Sequence, residues 1–364
     1  MHTKNSNKSD MSNVTVTQIS TPKEMRTFVR FNYELYKDCP YAVPDLLEDT
    51  LETLDPHSNP AFRFSRAAYF LAHKDGKVVG RVAAIINTRA NERWGQQDVR
   101  FGWIDFIDDI EVSRALLRAV EQWGQSQGME RIVGPLGFTD LDNEGMLING
   151  FEELGTMATI YNYPYYPAHV ERLGYEKEVD WHEFLIEIPE QIPDKHKRIA
   201  EIVKKKFNLR VVKFTSRKAL KEQYGQALFE LINEAYDNLY GYSRLTKRQI
   251  DYYIKIYLGM LNLDLVTLIV DGEDQLVGVG LFYDHLSFEG FKIGKQIGAC
   301  GVEGVFAFFN GVTAVFFDFS NVIGKLLVVN VNEVIGQAVA VIIIGVGVCD
   351  KHAVNQPGVV AVDG

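Results

Sequence analysis

Val14 and Val16 alternate with threonines across residues 13–19, which is the period of a half-buried strand. Thr21-Pro22-Lys23-Glu24 then supplies a helix start: an N-cap threonine, a proline at the first helical position and the glutamate of a capping box. The helix it opens stacks Met25, Phe28, Val29, Tyr33 and Tyr36, and a shorter one is predicted from Pro44 to Leu54, stopped by Asp55-Pro56. Tyr69 to Ala72 and Val78 to Ile86 flank Lys74-Asp75-Gly76-Lys77, the signature of an antiparallel hairpin. A strand from Phe101 to Phe106, a helix from Ile110 to Gln127 ended by Gly128, and a strand from Arg131 to Val133 complete the series. Such alternation predicts an α/β fold with a mixed sheet and helices on its faces.

The opening recurs about two hundred residues later, the spacing expected of a duplicated domain. Leu209 to Phe214 reads as a strand, Arg217 to Tyr240 as a helix, and Thr246-Lys247-Arg248-Gln249 as a second capping box. Val266 to Val270 and Gln275 to Phe282 form another hairpin around Asp271-Gly272, with Gly278 placed as Gly80 is in the first. Two tandem domains are therefore expected: residues 13–189, and a second beginning at 194–282, after a polar tail over 1–12 and a linker from Pro189 to Pro193.

A net charge of -10 argues against a nucleic-acid or anionic-membrane partner, both of which want a basic face. The basic run Lys195 to Lys206 carries Ile199, Ile202, Val203 and Phe207 at helical spacing, so it reads as the solvated face of an amphipathic helix. Cys39, Cys300 and Cys349 are scattered, which supports neither a disulfide framework nor a zinc site and fits a reducing cytoplasm. The apolar run Val334 to Cys349, broken by Gln337 and glycines, is shorter than the roughly eighteen residues of a spanning helix.

Strand, two helices, hairpin, strand, helix, strand is the order of the acyl-CoA N-acyltransferase (GNAT) superfamily, which residues 14–188 resemble, as residues 209–282 do more loosely. Gly134 to Trp181, with its Gly-Pro, its Glu144-Gly145-Met146-Leu147-Ile148-Asn149-Gly150-Phe151 run and its Tyr161-Asn162-Tyr163-Pro164-Tyr165-Tyr166 box, resembles a group of bacterial tandem GNAT-like proteins. The resemblance implies acetyl-CoA or acyl-CoA as donor and a small-molecule amine as acceptor. It also implies a phosphate loop between a strand and a helix, where backbone N–H groups hold the pyrophosphate. In the first domain that place holds Ile104 to Glu111, whose Asp105, Asp108 and Asp109 suit a helix cap and repel a pyrophosphate. The family's tyrosine general acid falls at Val170. Gln275 to Gly280 matches the loop pattern literally but lies inside a predicted strand, and Lys295 to Gly301 is a near miss in a better location. The cofactor-binding residues thus stay unassigned.

Candidate substrate-binding residues are Asn143, Tyr161, Asn162, Tyr165 and Tyr166, since clustered tyrosines beside an amide can grip an amphipathic ligand; core packing around a proline turn gives a similar pattern. Glu144 is the candidate general base that deprotonates the amine. A β-bulge in the central strand would furnish the N–H for the oxyanion. His169 and His182 read as ordinary interface or surface histidines, with no spacing that suggests a metal site or a triad.

Residues 283–364 change character, rich in Val, Gly, Phe and Ile and poor in charge, and the family resemblance stops there. They read either as strands completing the second sheet or as a stretch altered from a natural sequence. Two functions follow: an N-acyltransferase, or a degenerate GNAT-like binding or regulatory module. A weaker third is an aminoacyl-transferring relative of the peptidoglycan-bridge enzymes.

Overall fold

The computed structural model describes residues 13–155, 159–183, 194–260, 263 and 266–284, and the backbone of three later strands. It divides into two compact units, 1–176 and 177–364.

Unit 1 is a five-stranded sheet in the order β1-β2-β3-β4-β5. Its strands are β1 (Val14–Gln18), β2 (Ser65–Lys74), β3 (Lys77–Asn87), β4 (Asp98–Phe106) and β5 (Arg131–Val133), and its helices are α1 (Pro22–Tyr36), α2 (Leu47–Leu54), α3 (Thr88–Trp94), α4 (Ile110–Ser126) and α5 (Tyr165–Arg172). The first three pairings are antiparallel and β4 with β5 is parallel, giving the mixed α/β sheet the sequence predicts. The alternation of strand side chains sorts the core into two layers. Phe70, Ala72, Val82, Ala84 and Ile86 pack with Val112, Leu116 and Val120 of α4. Tyr69, Leu71, Ala83 and Ile85 pack with Phe28 and Val29 of α1 and Leu54 of α2.

Local chemistry explains the ends of these elements. The Thr21 side chain accepts from Glu24 N–H while Glu24 reaches back to Thr21 N–H, so the predicted capping box forms. Asp75 (φ 50°) and Gly76 (φ 74°) make the two-residue hairpin turn between paired Lys74 and Lys77. The sequence reading omits α3, whose Thr88-Arg89-Ala90-Asn91-Glu92-Arg93-Trp94 has no apolar stripe; Asn87 caps it, accepting from Ala90 N–H. It also omits α5, a helix at the end of the tyrosine box that carries Pro167 in its first turn, a position that needs no N–H donor.

Unit 2 is a seven-stranded sheet in the order β6-β12-β11-β10-β9-β8-β7. These are β6 (Trp181–Glu183), β7 (Arg210–Val212), β8 (Val266–Val270), β9 (Leu276–Asp284), β10 (Val302–Phe309), β11 (Val341–Ile344) and β12 (Gly358–Val362), with helices α6 (Asp194–Lys206), α7 (Arg217–Ala235) and α8 (Lys247–Met260). The path β7-α7-α8-β8-β9 repeats β1-α1-α2-β2-β3, and the antiparallel neighbours β7-β8-β9-β10 repeat β1-β2-β3-β4. Gly80 pairs with Phe106 of the next strand and Gly278 with Phe309 of its own next strand, so the matched glycines hold matched register positions.

Details differ from the sequence reading. β6, expected inside the first domain, pairs with β12 of the second sheet. In the second hairpin the left-handed residue is Asp274 (φ 64°), while Asp271 accepts from the N–H groups of Glu273 and Gln275. The Gln275–Gly280 match runs into β9, where a phosphate loop has no helix to follow it. Pro189–Pro193 and Lys295–Gly301 lie outside the described residues.

Candidate functional site

The site begins with a register change in β4. Arg81 pairs with Asp105 and Ala83 with Gly102, so Trp103 and Ile104 together oppose the single residue Val82. Such a β-bulge takes one residue out of the ladder and re-aims its neighbours. Trp103 adopts φ 43°, and both bulge residues line an open cleft. One wall is the loop after α1 (Ala42, Val43, Asp45) and the other comes from Asn143, Gly145, Met146 and residues 159–162. The walls are tied together: Gly155 N–H donates to Tyr41 O at 2.8 Å, and Asn143 Nδ2 donates to Asp45 Oδ1 at 3.0 Å.

Strand alternation puts Arg81 on the α1 face with Ala83 and Ile85, which forces a cation into the core. Its side chain is 2% exposed and it meets Asp105, 7% exposed, at 2.6 Å. Arg81 Nε donates to Asp105 Oδ2 at 2.8 Å, and Nη1 to the Phe28 and Val29 carbonyls at the middle of α1. Asp105 Oδ1 accepts from Tyr36 at 3.0 Å and from Tyr166 at 3.1 Å, and the two hydroxyls lie 2.8 Å apart. Burial, then the Asp105 charge, pushes both phenols well above the usual tyrosine range. The network is neutral in sum and closed, as buried charge requires.

Asp45 is a different kind of carboxylate. Its backbone carbonyl accepts from the Tyr33 hydroxyl, which fixes the loop, and the residue lines the cleft. Burial raises the carboxyl above its ordinary range, with Asp105 adding to the effect and Arg81 and Asn143 opposing it. Asn32, also lining the cleft, donates weakly to Asp105 at 3.4 Å, and its buried Oδ1 has no hydrogen-bond partner among the described residues.

The sequence candidates scatter around this centre. Asn143, Tyr161, Asn162 and Tyr166 line the cleft. Asn162 spends its amide on backbone, accepting from Leu147 N–H at 2.6 Å and donating to Leu147 and Tyr163 carbonyls, so it braces the wall. Tyr161 donates to Phe151 O at 3.3 Å. Tyr165 lies outside the lining, its hydroxyl on Phe106 O at 2.6 Å and its ring 5.9 Å from the Phe106 ring. Glu144 also lies outside it, in an acidic group with Asp140 and Asp142 near Arg100. Burial raises all three carboxyls, to about 7 at Asp140 and about 6 at Asp142, and Glu144 well above its normal range while it hydrogen-bonds Asp140.

Sequence reasoning passed over Asn32, Tyr36, Asp45, Arg81, Trp103 and Asp105. The one available signal was Arg81 standing inside an apolar strand, since a buried cation demands a carboxylate nearby.

At the strand-to-helix corner, Asp109 caps α4 by accepting from Glu111 N–H at 3.0 Å and pairs with Lys74 at 2.6 Å. The Lys74 hydrogen bond is the largest of the causes that hold the Asp109 carboxyl below its ordinary range. Tyr166 accepts from Phe106 N–H at 3.1 Å while Tyr165 donates to Phe106 O, so the last polar groups of β4 are also engaged. This corner does not fit a pyrophosphate. Of the interface and surface readings, His169 does not fit the surface one: it is 9% exposed, stacked on Phe106, with Nδ1 3.0 Å from Ser113 Oγ and Nε2 3.1 Å from Asp108. That trio has triad-like membership, but Ser113 is fully buried and its hydroxyl donates to Ile110 O, so it has no route to a substrate. The His182 side chain lies outside the described residues.

No protein-family model matches the chain. It is 31% identical over 227 residues to Protein YghO of Escherichia coli (strain K12), covering 62% of this chain and 57% of that protein, so it spans little more than half of that relative. It is 27% identical over 276 residues to the Bacterial ceramide synthase of Caulobacter vibrioides (strain NA1000 / CB15N), covering 75% of this chain and 71% of that one. Among solved structures it is similar to a tandem GNAT protein from the clavulanic acid biosynthesis pathway (TM-score 0.42, 12% identity, 74% of each chain). It is also similar to FeeM, an N-acyl amino acid synthase from uncultured soil microbes (TM-score 0.23, 16% identity, 34% of this chain and 72% of that one). Among the described residues, no helix is long and apolar enough to cross a membrane and no group of side chains could hold a metal ion.

Proposed function

We propose that this chain is an N-acyltransferase that moves an acyl group from acyl-CoA to an amine seated in the unit 1 cleft. The observation that carries this reading is the bulge at Trp103 and Ile104, which turns the interior of a sheet into the floor of an open cleft. A bulge releases a strand N–H from the ladder, and a fixed N–H at a cleft floor stabilises the oxyanion of a tetrahedral acyl intermediate. Similarity to a protein named ceramide synthase supports the chemistry, because a ceramide is the amide of a fatty acid with a long-chain amino alcohol. The chain's own residues orient the acceptor between the two cleft walls and bring its nitrogen to the bulge, converting a two-body encounter into a positioned one. The donor's phosphates do not seat on α4, whose first turn is taken by Asp109. Incubating the full chain with acetyl-CoA or palmitoyl-CoA and a panel of amines, and following free thiol and amide mass together, tests the proposal. Amide formation is expected with at least one donor, and neither thiol nor amide appearing with any pair would overturn it.

The α4 corner favours one alternative, a non-catalytic module that keeps the cleft and has lost the donor. Calorimetry with both thioesters separates the two: a module that has lost the donor binds neither.

A further inference from the structure

We infer that Asp45 is the group that takes the acceptor's ammonium and removes its proton, and that Asn32 receives a second donor of the same molecule, so the cleft selects an amine that carries a neighbouring hydroxyl. The chemical step rests on the acyl-transfer reading above; the binding step does not.

Two carboxylates and one guanidinium line the cleft, so one negative charge is left over. Asp105 is satisfied by Arg81, Tyr36 and Tyr166, and the excess charge therefore belongs to Asp45, whose side chain accepts, among the described residues, from Asn143. A half-buried carboxylate that lines a cleft beside a hydrogen-bonded amide is an acceptor site for a cation, and a bound cation restores the neutrality of the cleft. Asn32, a residue of the same lining, has a buried Oδ1 with no hydrogen-bond partner among the described residues and is the second unspent acceptor. Two residues of one cleft lining that each have acceptor capacity left call for a ligand with two donors, which an ammonium with an adjacent hydroxyl provides. The groups facing Asp45 are Arg81 of β3, Asp105 of β4, Tyr33 of α1 and Asn143 of the opposite wall.

The step balances. The Asp45 carboxylate accepts one proton from R–NH3+, giving a neutral amine and a carboxylic acid. The amine lone pair forms the C–N bond at the thioester carbonyl, and the C–S bond breaks when the tetrahedral intermediate collapses. One of the two protons left on the nitrogen goes to the departing thiolate and the other stays as the amide N–H, giving amide and free CoA thiol, and Asp45 returns its proton to solvent. A carboxyl raised by burial is a stronger base than a solvated one, which suits the role.

The test uses the full chain with three probes: 2-aminododecan-1-ol and dodecane-1,2-diol, which share a tail and a hydroxyl and differ in the ammonium, and dodecylamine, which lacks the hydroxyl. Calorimetry at pH 7 is expected to show wild type preferring the amino alcohol. Asp45→Asn should weaken that probe by about 10- to 100-fold, the worth of a charged hydrogen bond, and leave the diol unchanged, while Asp45→Glu restores the preference. Asn32→Leu should reduce the preference for 2-aminododecan-1-ol over dodecylamine. Equal amine binding in wild type and Asp45→Asn, with the variant folded by circular dichroism, would overturn the inference. Where amides form, kcat/KM should show an acidic limb that Asp45→Asn lacks, and a retained limb also counts against the assignment. Amine binding that depends on Asp45 without any turnover would refute the acyl-transfer reading and leave the amine site standing.

Discussion

Replacing Asp105 with Ala probes the closed network beneath the cleft. The substitution removes the partner of a guanidinium only 2% exposed and the acceptor of two phenols, while Arg81 keeps just the Phe28 and Val29 carbonyls at 3.1 and 3.3 Å. Breaking one side of a buried pair costs about 3–5 kcal/mol, because the surviving charge is left without a counterion in a low-dielectric core. At 1.4 kcal/mol per decade, exchange protection of β3 and β4 amides should fall by about two to three and a half orders of magnitude. Hydrogen-exchange mass spectrometry reads those strands separately from unit 2, so the chain need not unfold as one cooperative body. The double substitution Arg81→Met with Asp105→Leu removes both charges and should recover most of the loss. A loss below about 1 kcal/mol for Asp105→Ala, or a double variant no better than the single, would refute the view that the pair is a mutually dependent buried unit.

Further outcomes follow from other parts of unit 1. Gly102→Ala places a Cβ 2.5 Å from the Leu136 carbonyl oxygen, which is backbone and cannot swing aside, so urea midpoints should report a loss of about 1–3 kcal/mol. Thr21→Ala deletes the hydroxyl that accepts from Glu24 N–H and should cost about 1 kcal/mol in the same assay, with Thr21→Ser close to wild type. The Asp140, Asp142 and Glu144 carboxyls are raised in the folded state, so their contribution is full below the unfolded carboxylate range and is lost as pH climbs through about 6 and 7. Glu144→Gln should therefore flatten the decline in melting temperature between pH 5 and pH 8, and an unchanged slope would show that this group does not carry it.

The framework was legible because it is written in local chemistry. The capping box at Thr21, the Asp75-Gly76 turn and the stripe of α4 each specify their element within a few residues, and the repeated opening announced the second unit. The helices that escaped notice, α3 and α5, are short and owe their form to an Asn87 cap and to a proline placed where a helix tolerates it, not to an apolar period. Asn143, Tyr161, Asn162 and Tyr166, which line the cleft, stand out in the sequence because their composition is unusual. Asp45 and Asp105 do not: each is one acidic residue among many, and its meaning depends on strand register and on a loop folding back 98 residues to meet Asn143. Glu144 stood in the right segment for a base, but the turn around Asp142, whose Oδ2 accepts from Phe138 and Thr139 N–H, places it among carboxylates and outside the cleft lining.

The claim on which the account depends is that acceptor amines sit in the cleft above the β4 bulge. Hydrogen exchange of the full chain with and without saturating 2-aminododecan-1-ol tests it most directly. Added protection is expected in peptides spanning residues 41–46, 102–106 and 143–147, and to vanish in Asp45→Asn; protection confined to other segments, or equal in the variant, would contradict it.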